Sequence, residues 1–194
     1  MKILILSVIA LITFQSELIA QTYKIDTGHS SVQINIERFG VIDVVGRFKD
    51  VQGSITYNTE NPSGTIANSV IKVDSYDANN IGGEEAVKSP AFLDAAKFAE
   101  ITFQSKATKE EEGQMYLIGD LTIHGVTNEI ALPFAIKGPL IDLPTQKMSI
   151  AFSAKTTINR QDYGVSFNRQ LPNGTKIVGD EVDITLTVLA IEEK

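Results

Sequence analysis

The stretch KMSIAFSAKTTI, residues 147–158, decides how the rest of the chain is read. Met148, Ile150, Phe152, Ala154 and Ile158 share one parity, while Lys147, Ser149, Ser153, Lys155 and Thr157 share the other. Successive side chains point to opposite faces only in an extended strand, so the segment predicts a strand with one buried and one wet face. The same period of two recurs along the chain. Val32, Ile34 and Ile36 alternate with Gln33, Asn35 and Glu37, and Ile71 and Val73 with Lys72 and Asp74. Ile101 and Phe103 form another such pair, and Met115, Leu117, Leu121 and Ile123 share a parity. So do Ile130, Leu132, Phe134 and Ile136, and the chain closes with Val182, Ile184, Leu186 and Val188.

Turn signals separate these runs: ENPSG at 60–64, KEEEG at 109–113, HGVTN at 124–128 and PNG at 172–174. Short connections between neighbouring alternating strands predict antiparallel hairpins. One helical island is expected at residues 89–98, SPAFLDAAKF, with Ser89 as cap and Pro90 at the first helical position. With no linker or repeat in sight, the chain is read as one all-β domain. Periodicity alone leaves two architectures open: a closed barrel with room for a ligand, or a two-sheet sandwich packed solid.

Residues 1–20 stand apart. Lys2 precedes an apolar run from Ile3 to Phe14, the segment ends in small Ala20, and polar residues follow. This is the pattern of a secretory signal peptide, too short to span a bilayer. Cleavage after Ala20 leaves residues 21–194 as the mature domain, in the periplasm or outside the cell, with no stable membrane span. The chain has no cysteine, so neither a lipid-modified cysteine nor a disulfide is available. A formal net charge of −7 without a basic cluster disfavours nucleic acid and anionic membrane surfaces as partners.

Chemistry-bearing residues are sparse. Asp26, His29 and Ser30 lie together in DTGHSS, but a cluster within one turn suits capping of backbone groups better than a catalytic triad. The run DANNIGGEE from Asp77 has a calcium-loop outline, yet Ile81 and Lys88 occupy positions that need oxygen ligands; a solvated loop is expected. Two isolated histidines, His29 and His124, predict no zinc site. No catalytic residue, metal or cofactor is assigned. Glycines such as Gly46, Gly113 and Gly125 fall where a chain reversal or strand bulge uses them.

The apolar faces remain. On parity, Ile34, Ile36, Ile71, Val73, Phe103, Leu117, Leu121, Leu132, Phe134, Ile150 and Phe152 face the interior. They either fill a core or line an elongated pocket. A bound hydrocarbon chain would gain roughly 25 cal/mol per Å² removed from water, with few polar contacts needed.

Several segments together resemble the YceI-like family: YKIDTGHSSVQINI, VVGRFKDVQGSITYN, SPAFLDAAKFAEITFQS, GDLTIHGVTNEIAL, INRQDYGV and VGDEVDITL, in order from Tyr23 to Ala190. The resemblance implies an extended eight-stranded antiparallel barrel of lipocalin-like architecture with a helix near one end. It also implies an exported lipid-binding protein, with a polyisoprenoid or fatty-acid-like amide threaded through the barrel and its head group at the mouth. No catalytic step is implied. Arg47 and Arg160 become candidate mouth residues, although each equally suits a surface ion pair. Where the family often carries an Arg-Asp-x-His-Leu run, this chain has Gly83, Glu84, Glu85, Ala86 and Val87. An acidic mouth would repel a pyrophosphate, so the expected ligand is a neutral or weakly charged amphiphile: a quinone, prenyl phenol or fatty amide. The competing classes are a packed structural or protein-interaction domain and, third, an enzyme acting on a barrel-bound isoprenoid or quinone. Whether two barrels pair as a homodimer stays open.

Overall fold

The computed structural model describes residues 20–193, so the leader expected over residues 1–20 lies, apart from Ala20, outside the described residues. The chain forms β1 (Gln21–Ile25), β2 (Ser31–Arg38), β3 (Ile42–Phe48), β4 (Val51–Tyr57), β5 (Ile66–Lys72) and β6 (Tyr76–Asp77). The helix α1 (Ile81–Lys88) follows, then β7 (Glu100–Glu111), β8 (Gln114–Ile123), β9 (Val126–Asp142), β10 (Lys147–Asn159) and β11 (Val178–Glu192). Every strand pairing is antiparallel. The order β1–β4–β5–β7–β8–β9–β10–β11 closes on itself because β11 also pairs with β1, giving an eight-stranded barrel. Alternation therefore reports a closed interior, and the sandwich is excluded.

Three neighbouring strand lines break at one level. β1 and β2 both pair with β11, at residues 190–192 and 178–187, and β4 and β3 pair with them in turn. Between β1 and β2, the Asp26 carboxylate accepts from the Gly28 N–H (2.9 Å) and His29 Nδ1 (2.7 Å), capping a single 3₁₀ turn, Thr27–His29. DTGHSS is thus a capped strand break, held to β4 by Thr27 Oγ1 donating to the Val51 carbonyl at 3.0 Å. A second 3₁₀ turn, Val73–Ser75, separates β5 from β6 and accepts the Lys49 N–H at the break between β3 and β4. The Lys49 N–H and Val51 carbonyl freed at the β3–β4 break are thus satisfied by the breaks on either side.

The helix lies immediately before the expected place. It occupies 81–88, with Asn80 as its cap, accepting from the Gly83 N–H at 3.4 Å, and Ser89 closes it by donating to the Ala86 carbonyl at 2.7 Å. Pro90 then follows a helix end instead of opening one. Residues 89–98 form successive turns, with Phe98 N–H bonded to the Asp94 carbonyl at 2.8 Å. Gly82 and Gly83 lower helix propensity, which is why 77–85 reads as a loop from composition. Its carboxylates have structural partners: Asp77 accepts from Asn79 N–H and pairs with Lys49 at 3.0 Å, and Glu84 accepts from Ala78 N–H.

Candidate functional site

The inward residues of β10, β11, β2 and β3 line up in rows across the hydrogen-bonding direction. From α1 toward the opposite end they run Ile158–Val182–Ile36–Val44, Thr156–Ile184–Ile34–Gly46, Ala154–Leu186–Val32–Phe48, Phe152–Val188 and Ile150–Ala190–Ile25. Burial grades along them. Ile150 and Ala190 are 1% and 0% exposed, whereas Ile34, Ile36 and Ile184 are only half-buried although they face inward. Apolar side chains pointing into a barrel are accessible only if the barrel is hollow there.

A cavity of about 540 Å³ runs through this half of the barrel and reaches Ile25 on β1 and Ile55 on β4. Its volume lies within the roughly 300–1,000 Å³ typical of small-molecule sites. Of the parity-derived set, Ile34, Ile36, Ile71, Phe103, Leu117, Leu121, Leu132 and Phe152 line it. Val73, Phe134 and Ile150 do not, and each departure has a cause. Val73 belongs to the 3₁₀ turn after β5, where strand parity no longer holds; it is buried, with its N–H bonded to the Ala99 carbonyl. Phe134 stacks on Phe152 with ring centroids 5.4 Å apart, and Ile150 is packed one row beyond Phe152. Phe134 and Ile150 are thus packed against their neighbours, outside the void.

At the other end the cavity opens between α1 and the β2–β3 hairpin, lined by Glu37, Arg38, Asn80, Gly83, Ala86 and Val87. The acidic pair of α1, Glu84 and Glu85, is not part of the lining. The charges that do line the mouth are Glu37 and Arg38. The Arg38 guanidinium lies over the Phe39 ring, 4.3 Å from its centroid, and has no ion-pair partner among the described residues. Sequence reasoning missed Arg38, because a charge at the end of an alternating run reads as the exposed end of a strand.

The two arginines expected at the mouth are placed differently. Arg47 points outward on β3, well exposed, with Asp77 at 3.8 Å, and does not line the cavity. Arg160 is 4% exposed and does contribute to the lining. Its donors, however, are spent on the chain itself. Nε donates to the Gly179 carbonyl at 2.8 Å, and the terminal nitrogens to the carbonyls of Val165 and Phe167 and to Asp180 at 2.9 Å. Burial lowers the Arg160 pKa, and the Asp180 carboxylate opposes that shift. Lys176, bonded to Asp180, and to a lesser degree Gln161 hold the Asp180 carboxyl below the usual carboxylate range. Arg160 is therefore a tie pinning the 164–178 loop to β11.

Neither histidine lines the cavity. His124 and Gly125, both at positive φ (51° and 75°), form the two-residue turn between β8 and β9. The imidazole packs against Phe98 at 4.5 Å between centroids, and a Cβ on Gly125 would sit 2.5 Å from that ring. The turn has room for no side chain other than the histidine's. Among the described residues no three His, Cys, Asp or Glu side chains converge as metal ligands, and no helix is long and apolar enough to cross a membrane.

Comparison with known proteins agrees with this geometry. The family model described as "YceI-like domain" matches residues 23–190. Protein YceI of Salmonella arizonae is 29% identical over 178 residues, covering 91% of this chain and 90% of the relative. Among solved structures, BcnA of Burkholderia cenocepacia superposes with a TM-score of 0.74 at 22% identity, over 86% of this chain and 99% of its own. A polyisoprenoid binding domain from Saccharophagus degradans gives a TM-score of 0.67 at 14% identity, over 89% and 99% of the two chains. At these identities the structural likeness speaks for the fold.

Proposed function

The chain belongs to the YceI-like family, and from that premise we propose that its barrel holds one long-chain amphiphile for carriage or storage, without catalysis. The observation that carries the proposal is the incomplete burial of inward-facing Ile34, Ile36 and Ile184 around a 540 Å³ cavity. An apolar void open at one end is filled best by an apolar chain, whose burial returns roughly 25 cal/mol per Å². The Saccharophagus degradans neighbour, a polyisoprenoid binding domain, supports the ligand class: a polyisoprenoid, an isoprenoid quinone or a fatty-acid-like amide. The expected leader makes the site of action the periplasm or the cell exterior.

The mouth favours a neutral or weakly charged head group. Glu37 and Arg38 offset one another there, so a multiply charged pyrophosphate would meet one cation beside one anion. Native mass spectrometry and solvent extraction of the purified protein test both parts. A co-purifying neutral long-chain molecule is expected. Repeated preparations free of any long-chain molecule, with none taken up on addition, would sink the binding function. A polyprenyl pyrophosphate would overturn the head-group preference.

A further inference from the structure

Tyr76 is an unpaired hydrogen-bonding group in an apolar cavity. It is 4% exposed, its ring leans on Phe48 at 5.2 Å between centroids, and it contributes to the lining. Pairing of Phe48 with Tyr76 carries the ring along β3 to Gly46, where a Cβ would lie 2.1 Å from the tyrosine hydroxyl. Gly46 faces inward between Val44 and Phe48, so the hydroxyl stands on the inner wall. Among the described residues it has no hydrogen-bond partner, and it is not among the fully enclosed unpaired atoms, so it is open to whatever fills the cavity. Burial, with the Glu84 charge second, raises its pKa, which keeps it a neutral O–H donor.

The position is defined by register. Gly46 belongs to the row Thr156–Ile184–Ile34–Gly46, four residues below Ile42 at the hairpin tip, ~13 Å along the strand. Thr156 on the same row also contributes to the lining, and its hydroxyl likewise has no partner among the described residues. Two unpaired hydroxyls on one row, whose other members are Ile184 and Ile34, make a polar station below the rim, with Ser69 of β5 a further hydroxyl on the cavity wall. An ionised group could not rest there: the nearest walls are Ile34, Ile184 and Phe48, and the Arg160 guanidinium is committed to backbone carbonyls and Asp180.

Resting on the amphiphile-binding function above, we propose that Tyr76 donates a hydrogen bond to an uncharged carbonyl of the bound amphiphile, drawing that head group inside the barrel instead of leaving it at the rim. The ligand class is thereby a long chain bearing a quinone, amide or ester carbonyl. A hydroxyl that merely binds water would show no such preference.

The test is competition of oleamide and of 1-octadecene, an equally long chain without the carbonyl, for a fluorescent lipid dye in the cavity. The wild type should prefer oleamide, and Tyr76→Phe should weaken oleamide about 5–10-fold while leaving octadecene unchanged. Thr156→Val should have a smaller effect in the same direction. Because the hydroxyl has no protein partner, the thermal midpoint of Tyr76→Phe should equal or exceed that of the wild type. The carbonyl stretch of isotope-labelled oleamide should lie at lower frequency in the wild type than in Tyr76→Phe. Tyr76→Phe binding both probes as the wild type does, or weakening both equally, would overturn the carbonyl assignment alone. A wild type that takes up neither probe would overturn the lipid-binding function and the assignment together.

Discussion

The two ends of this barrel are built from the same alternating strands, yet one is solid and the other hollow. Toward the end remote from α1, Ile150 and Ala190 are 1% and 0% exposed and lie outside the cavity lining, and Phe134 stacks on Phe152. Toward α1, the inward positions carry Ile34, Ile36, Ile184 and Thr156, all half-buried. The difference is one of supply. Tyr23 of β1 and the stacked Phe134 and Phe152 fill the first end; at the second, the β-branched aliphatics of β2, β10 and β11 are too short to meet across the barrel. Eight strands leave an interior that side chains just fill or that holds one small ligand, and this chain does one at each end.

The largest test of that contrast is matched truncation. Ile150→Ala should cost about 2–5 kcal/mol by urea unfolding, because it opens a hole in close-packed surroundings away from the cavity. Ile184→Ala, on the cavity wall, should cost about 1 kcal/mol, since one side of that residue already lacks partner atoms. Equal penalties would mean that the α1 end is filled as well.

The mouth has a structural tie of its own. Arg160→Met should lower stability by about 2–3 kcal/mol, as the buried Val165 carbonyl and the part-buried Gly179 and Phe167 carbonyls lose a donor. Amide exchange should rise across 164–178 and stay unchanged in β8 and β9. A smaller effect is expected from acid. The Asp180 pKa lies below its unfolded value, so its stabilising contribution is complete above the unfolded carboxylate range, near pH 4, and is lost as pH falls through the folded pKa. Asp180→Asn should flatten stability against pH below about pH 4 and leave its slope between pH 6 and pH 8 unaltered. An unchanged acid limb would remove Asp180 from the linkage.

Much of this molecule was legible in its strands. Period-two alternation in 147–158 and its companions predicts inward and outward faces, and most inward residues so identified do border the cavity. Parity failed where the chain stops being a strand. Val73 continues the alternation of Ile71 in sequence, but a 3₁₀ turn rotates it out of line. The helix was displaced because Pro90 after Ser89 reads equally as a helix start or a helix stop, and only the Asn80 cap distinguishes them. Arg47, in apolar VVGRF, is exposed and Arg160, in polar INRQDYG, is buried, the reverse of what their neighbours suggest, because Arg160 meets a loop and a strand that follow it in the chain. Tyr76 gave no signal, since a two-residue strand carries no periodicity and its hydroxyl acquires meaning only against Gly46, thirty positions earlier.

Local chemistry thus sufficed for the class of structure: alternation, turn residues and a histidine–glycine hairpin tip each depend on neighbours in sequence. Whether the interior is empty depends on side chains from eight strands meeting, or failing to meet, across the barrel. That sum over distant residues appears in no window of the chain. Hollow volume, the mouth charges and the unpaired phenol were accordingly settled by closure of the sheet.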